Sequence, residues 1–187
     1  MPTIYTEDQV RKAISSEKAK HGIKKYREIM ELFNQTNVAE DRVFQTMFNG
    51  FYRVRQKPEE WYKTYYNYME RQKGKDVTFS ATLKYIKDKL NRDEPSFSSK
   101  LVATHNPNMP IWDKHVLENL CLRPPYHKAK NKVAKIEALY EELITRYKNI
   151  ENTQGPMMIG VFNDLIEEAQ SITNIKKLDF ILWQIRT

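Results

Sequence analysis

Lys100 and Asp113 are the two residues of this 187-residue sequence whose types and local context could support covalent chemistry. Lys100 lies in SFSSKLVAT, behind Pro95 and a group of serines that is typical of a helix start. The positive end of the helix dipole, and partial burial against Phe97 and Leu101, would favour the neutral amine. A neutral amine can attack an electrophilic carbon and form a Schiff base. Lys100 is therefore a candidate nucleophile, and a solvated surface lysine is the alternative.

Asp113 follows Pro110-Ile111-Trp112 and precedes a run with helical periodicity. Its side chain could cap the helix over residues 114–120 by accepting hydrogen bonds from backbone N–H groups. The same ionised carboxylate could stabilise a positive charge that develops on a sugar ring, or take a proton from a nucleophile. One residue can serve both purposes, and capping alone is the simpler interpretation.

Aromatic residues are concentrated in the segments VFQTMFNGFYRV and PEEWYKTYYNYMER, and exceed what one helix pair needs to fill a core. A base that has left its stack is held between such rings. Phe48, Tyr52 and Trp112 are the candidates for a substrate pocket, with core packing as the alternative.

The formal net charge of +7 and the pI of about 9.3 favour a polyanionic partner. Arg123, Lys128 and Lys130 lie near predicted helix ends, where cations neutralise phosphates without reading bases. Ser98 and Ser99, at the predicted start of the Lys100 helix, are further candidates for DNA contacts. The alternative is that these cations only cap helices and interact with water.

The remaining composition narrows the class of protein. No apolar run reaches the roughly 20 residues of a membrane span, and the N-terminus lacks an apolar secretory segment. We therefore expect a cytoplasmic protein, bacterial or nucleoid-associated. We also expect a monomer. The single Cys121 excludes an internal disulfide, and the four histidines lack ligand spacing, so neither a metal nor a cofactor is predicted.

Apolar residues recur at helical spacing along nearly the whole chain, which predicts an all-α, multi-helical single domain over residues 1–187. The pattern divides the chain into an N-terminal α-hairpin within 1–35, interrupted at His21-Gly22, a middle segment over 40–123, and C-terminal helices over 129–187. The helix over 43–56 has a broad apolar face and should be largely buried.

Read together, SFSSKLVAT and PNMPIWDKHVLENL resemble the catalytic segment of the helix-hairpin-helix DNA glycosylase superfamily, in particular its 8-oxoguanine glycosylase branches. The resemblance covers residues 40–123 and includes VFQTMFNGFYRVR as the buried helix before the hairpin. It implies that Lys100 is the Schiff-base nucleophile and that Asp113 assists base expulsion. The implied function is a base-excision repair glycosylase and AP lyase acting on a damaged base, such as an oxidised purine, in duplex or unpaired DNA.

The segment EPSFSS stands where these enzymes usually carry a glycine-rich turn that grips a phosphate. The sequence therefore leaves a second hypothesis open: a non-catalytic all-α protein, nucleic-acid-binding or regulatory, on a glycosylase-like scaffold.

Overall fold

The computed structural model describes residues 4–185, and within this range the chain forms ten α-helices and one short 3-10 helix, with no strand. The all-α prediction is confirmed. The helices are α1 Glu7–Ser15, α2 Glu17–Gln35, α3 Arg42–Tyr52, α4 Glu59–Arg71, α5 Phe79–Leu90, α6 Pro95–His105, α7 Lys114–Asn119, α8 Lys132–Thr153, α9 Gly155–Leu165 and α10 Asn174–Gln184, and the 3-10 helix is Ala169–Ser171.

Polar side chains fix most of the helix starts. Ser16, Asp41, Thr78, Asp113 and Thr173 each accept a hydrogen bond from a backbone N–H in the first turn of the helix that follows. Each cap satisfies a donor that the helix itself cannot pair. The caps therefore determine where the chain turns between helices.

The predicted break at His21-Gly22 is wrong, because both residues lie inside α2. The break occurs at Ser16, whose extended backbone ends α1 and whose hydroxyl caps α2 at the N–H of Ala19. A glycine costs a helix interior only about 1 kcal/mol, which a serine cap with tertiary packing on both sides can outweigh. Helix α1 then packs against α9 and α10.

Two hydrophobic clusters form the interior. One is centred on α8, α9 and α10 and also takes in α1 and α7, whereas the other is rich in aromatic residues and is centred on α3 and α4. Phe51 and Val77 pack against both clusters, so the two join into one core and the chain forms one compact domain.

Helix α6 runs through this core. All residues from Ser98 to Thr104 are buried, so the helix is enclosed on every side despite its four polar residues in that stretch. A helix enclosed in this way has few ways to move, which fixes the position of Lys100.

A hydrogen-bonded link attaches α7 to the end of α10. The buried carboxamide of Asn119 donates to the carbonyl oxygens of Leu182 at 2.7 Å and Ile185 at 3.1 Å. The hydroxyl of Tyr5 donates to the Asn119 carbonyl at 3.1 Å and adds the N-terminal segment to the link.

We expect Asn119→Ala to lower the free energy of unfolding by about 2 to 3 kcal/mol, because two interior carbonyl groups lose a donor. Urea denaturation followed by circular dichroism measures the change. Asn152→Ala, on the exposed face of α8, is the matched control and should shift stability by no more than about 0.5 kcal/mol. Equal effects of the two substitutions would contradict a structural role for the Asn119 carboxamide.

Candidate active site

A cavity of about 260 Å³ lies where the end of α3, helix α6, the start of α7 and helix α10 meet. Lys100 and Asp113 both line it, so the fold brings the two candidate residues to one site. The volume is a little below the roughly 300 to 1,000 Å³ of typical ligand sites, which suits one heterocyclic base. The other lining residues are Phe51, Tyr52, Arg53, Ile111, Lys114, His115, Val116, Lys176, Asp179, Phe180 and Trp183.

Lys100 is buried in the second turn of α6, with 7% of its surface exposed. Its Nζ donates to the Ser96 hydroxyl at 2.6 Å and lies 5.1 Å from the ring centroid of Phe97 and 5.9 Å from that of Tyr52. Burial lowers the pKa of Lys100 to about 8, and this effect outweighs the opposing attraction of Asp113. A pKa near 8 leaves about a quarter of the amine neutral at pH 7.5, compared with about a thousandth for an ordinary lysine.

Asp113 is the N-cap of α7, as its position in the sequence predicted. Its Oδ1 accepts a hydrogen bond from the His115 N–H at 2.9 Å, and the side chain is half-buried in the cavity wall. The cap fixes the direction of the carboxylate. Asp113 is therefore positioned by local structure, while its charge acts on Lys100.

A second lysine and aspartate, Lys176 and Asp179 on α10, line the same cavity. Lys176 Nζ donates to Asp179 Oδ2 at 2.6 Å, and both side chains are almost fully buried. Asp179 Oδ1 accepts from the Tyr147 hydroxyl and, at 3.4 Å, from the Ile111 N–H. This ion-paired lysine is distinct from Lys100, whose Nζ is hydrogen-bonded to the neutral hydroxyl of Ser96.

The sequence analysis did not select Lys176 or Asp179. Helical periodicity places both outside the apolar stripe of α10, where charged residues normally face water. In the structure every residue from Ile175 to Leu182 is buried, so α10 has no solvent-facing side in this stretch. The available signal was the pair of Lys176 and Asp179 at an i, i+3 spacing in IKKLDFIL, a segment whose other residues, apart from Lys177, are apolar.

Of the three aromatic residues proposed for a pocket, only Tyr52 lines the cavity. Phe48 is fully buried in the aromatic cluster, and Trp112 is stacked parallel to Phe79 with centroids 6.4 Å apart. Phe48 and Trp112 therefore lie outside the cavity lining, in the core that was the alternative for each. The cavity lies at the C-terminal end of α3, one turn beyond Phe48, and takes its other rings from Phe51, Phe180 and Trp183.

Ser98 and Ser99, predicted to contact DNA, are fully buried, so the structure places neither side chain at the surface. The Ser99 hydroxyl donates to the Ser96 carbonyl and accepts from the Trp112 N–H, each at 2.9 Å. This hydroxyl thus links α6 to Trp112, the residue before Asp113. Serines near a helix start are often exposed caps, but here they pack against the interior.

Arg123, Lys128 and Lys130 are exposed and lie outside the cavity lining. None of the three forms an ion pair within residues 4–185. Their proposed contact with nucleic acid stays a prediction.

The turn between α5 and α6 has a different chemistry from a phosphate-gripping turn. Asp93 forms ion pairs with Lys87 at 2.9 Å and Lys132 at 3.0 Å, and Glu94 pairs with Lys57 at 2.5 Å. The hydrogen bond from Lys87 holds the pKa of Asp93 below its usual range. Each carboxylate of this turn is already paired with lysine, so the turn ties α6 to its neighbours and fixes its position.

No family model, curated protein or solved structure matches the chain. In the described part of the chain, no helix is long and apolar enough to cross a membrane, and no group of three His, Cys, Asp or Glu residues could hold a metal ion.

We expect Lys100→Met to raise the free energy of unfolding at pH 7 by about 2 to 3 kcal/mol, because a pKa lowered from 10.5 to about 8 corresponds to about 3 kcal/mol of cost to the buried ammonium. The unfolded state binds more protons than the folded state between pH 8 and 10.5, so the native protein gains stability as pH rises through this range. The advantage of the variant should therefore be full below pH 8 and disappear by pH 10.5.

Urea denaturation at several pH values checks this expectation. Lys114→Met is the matched control, since Lys114 lines the same cavity with 80% of its side chain exposed, and should change stability little at any pH. A loss of stability in Lys100→Met at pH 7 would contradict the account.

Proposed function

We propose that the protein is a DNA glycosylase with AP-lyase activity, which removes a damaged base, such as an oxidised purine, through a Schiff base on Lys100. The observation that carries this proposal is the placement of an amine with a lowered pKa and a carboxylate in the wall of one base-sized cavity. Desolvated lysines of this kind are the ones that act as nucleophiles in proteins.

The chemistry requires the neutral form of Lys100. Its Nζ attacks the sugar C1′ and forms a C–N bond while the glycosidic bond breaks, and the departing base takes up a proton. The C1′–O4′ bond then opens and the remaining Nζ proton passes to O4′, which becomes a hydroxyl, and this gives the imine. Removal of a C2′ proton from the imine expels the 3′ phosphate and cleaves the strand. Asp113 stabilises the positive charge that develops on the sugar before the new bond is complete.

The rest of the cavity supports the same substrate class. Tyr52, Phe51 and Trp183 offer ring surfaces to a flipped base. Arg53 and Lys114 are exposed where they border the cavity, so they can contact the phosphates on either side of the sugar without entering it. Arg53 also lies 5.8 Å from the centroid of the Trp183 ring, which orders both side chains.

A non-catalytic nucleic-acid-binding or regulatory protein is the second candidate function. The ion-paired carboxylates of Asp93 and Glu94 favour it, because the turn before α6 lacks the phosphate-binding chemistry of the enzymes that the sequence resembles. This candidate requires no role for the lowered pKa of Lys100.

Borohydride trapping distinguishes the two functions. Borohydride reduces an imine to a stable amine, so the protein should form a covalent adduct with an oligonucleotide that contains 8-oxoguanine or another lesion from a panel of damaged bases. Lys100→Gln should abolish the adduct, whereas Lys24→Gln, at an exposed lysine of α2 outside the cavity, should retain it. The rate of adduct formation should rise with pH through about 8, because the neutral amine is the reactive form.

An oligonucleotide with an abasic site provides the positive control, because it needs no base excision. The enzyme proposal is wrong if no lesion in the panel gives an adduct, or if Lys100→Gln forms one as efficiently as the native protein. Salt-dependent binding to undamaged DNA without any adduct would support the second candidate.

A further inference from the structure

The connection between α7 and α8 presents an aromatic ring to solvent. We call residues Arg123 to Lys130 the Tyr126 segment. Tyr126 is 65% exposed, and its ring contacts only the neighbouring His127 ring in the described aromatic contacts, at a centroid distance of 4.3 Å. An aromatic ring exposed to this extent contributes little to the core and leaves its face available to a partner.

The charged residues on either side of this ring along the chain have one sign. No Asp or Glu occurs between Glu118 and Glu137, and the interval contains five Lys and Arg residues. Three of them, Arg123, Lys128 and Lys130, are exposed members of the Tyr126 segment and form no ion pair among the described residues, and the other two are Lys132 and Lys135. The segment is therefore a cationic surface with a ring at its centre.

The segment is also held in shape from both ends. Leu122 is buried before it, and Pro124-Pro125 restricts the backbone. The Ala129 N–H donates to the Tyr126 carbonyl at 2.9 Å and closes a turn, and Lys132 is paired with Asp93 just after it. A surface that is ordered before binding loses less conformational entropy when a partner arrives.

The combination of ring and cations selects one class of partner. Phosphates pair with the cations, and a base that lacks a stacking neighbour can cover the Tyr126 ring. Bases inside an intact duplex are already stacked on both faces. The phosphates of a duplex can therefore pair with the cations, but its bases cannot stack on the Tyr126 ring. An anionic lipid surface would likewise engage the cations without any need for one aromatic ring at the centre of the turn.

We infer that the Tyr126 segment binds unpaired nucleic acid, with a base stacked on Tyr126 and the adjacent phosphates held by Arg123, Lys128 and Lys130. This inference rests on the proposed function for its biological role. It adds that single-stranded or locally opened DNA is the preferred partner. The binding itself requires neither Lys100 nor the cavity.

Fluorescence anisotropy with a labelled 15-nucleotide oligothymidylate tests the inference with the full chain. Tyr126→Ala should weaken binding by about 5- to 100-fold, as is usual for loss of one base–aromatic stack, and Tyr126→Phe should bind like the native protein. Tyr126→Ala should change affinity for an undamaged duplex by less than about twofold. Tyr126 is exposed, so both variants should keep the native fold, and circular dichroism verifies that the helices remain.

Charge variants complete the test. Lys128→Gln with Lys130→Gln should reduce the slope of log affinity against log salt concentration by about 1.4, which is the release of two counterions from a single strand. Lys24→Gln with Lys25→Gln, an exposed pair on α2, is the matched control and should leave the slope unchanged. Equal slopes for the two double variants would overturn the inference.

The remaining outcomes are equally decisive. Native-like oligothymidylate binding by Tyr126→Ala overturns the inference, as does binding to phosphatidylserine vesicles in the absence of binding to the oligonucleotide. If Lys100 forms no trapped adduct but oligonucleotide binding still depends on Tyr126, the enzyme proposal is wrong and the inference that the Tyr126 segment binds nucleic acid is supported. If the adduct forms and Tyr126→Ala binds the oligonucleotide like the native protein, the inference about the Tyr126 segment is wrong and the enzyme proposal is supported.

Discussion

The buried carboxylate of Asp179 is the constraint on which the candidate site depends. A charge in the interior is tolerated only when it is paired and hydrogen-bonded, and Asp179 has the Lys176 ammonium, the Tyr147 hydroxyl and the Ile111 N–H as partners. These partners lie on α10, on α8 and in the connection between α6 and α7. One carboxylate thus holds together three parts of the fold, and two of them form cavity walls.

The arrangement also gives the two buried lysines of the cavity different hydrogen-bond partners. Lys176 has an ionised partner at 2.6 Å, whereas Lys100 donates to the neutral Ser96 hydroxyl at the same distance. Burial lowers the pKa of Lys100, and the Lys176 ammonium lowers it further, against the opposing influence of Asp113 and Asp179. A buried lysine with a lowered pKa beside a charged pair in a cavity wall is typical of catalytic sites.

The sequence predicted most of the fold and part of the site, for reasons that differ between residues. Local sequence rules predict the all-α class, the helix cap at Asp113 and the start of α6 at Pro95, and the structure has all three. Phe48 and Tyr52 share one helical face, so periodicity could not separate the core residue from the cavity residue. The cavity residues of α10 were missed because periodicity assumes a solvent-facing side, which this helix lacks over residues 175–182.

The most direct test of the central claim, that burial in the cavity wall favours the neutral amine of Lys100, is a titration of this residue by NMR. In protein with ¹³C-labelled lysine side chains, Lys100→Met assigns the Lys100 signal by its disappearance. The account predicts that this signal titrates with a pKa of about 8, well below the 10.5 of an ordinary lysine. A Lys100 signal that titrates near 10.5 would contradict it.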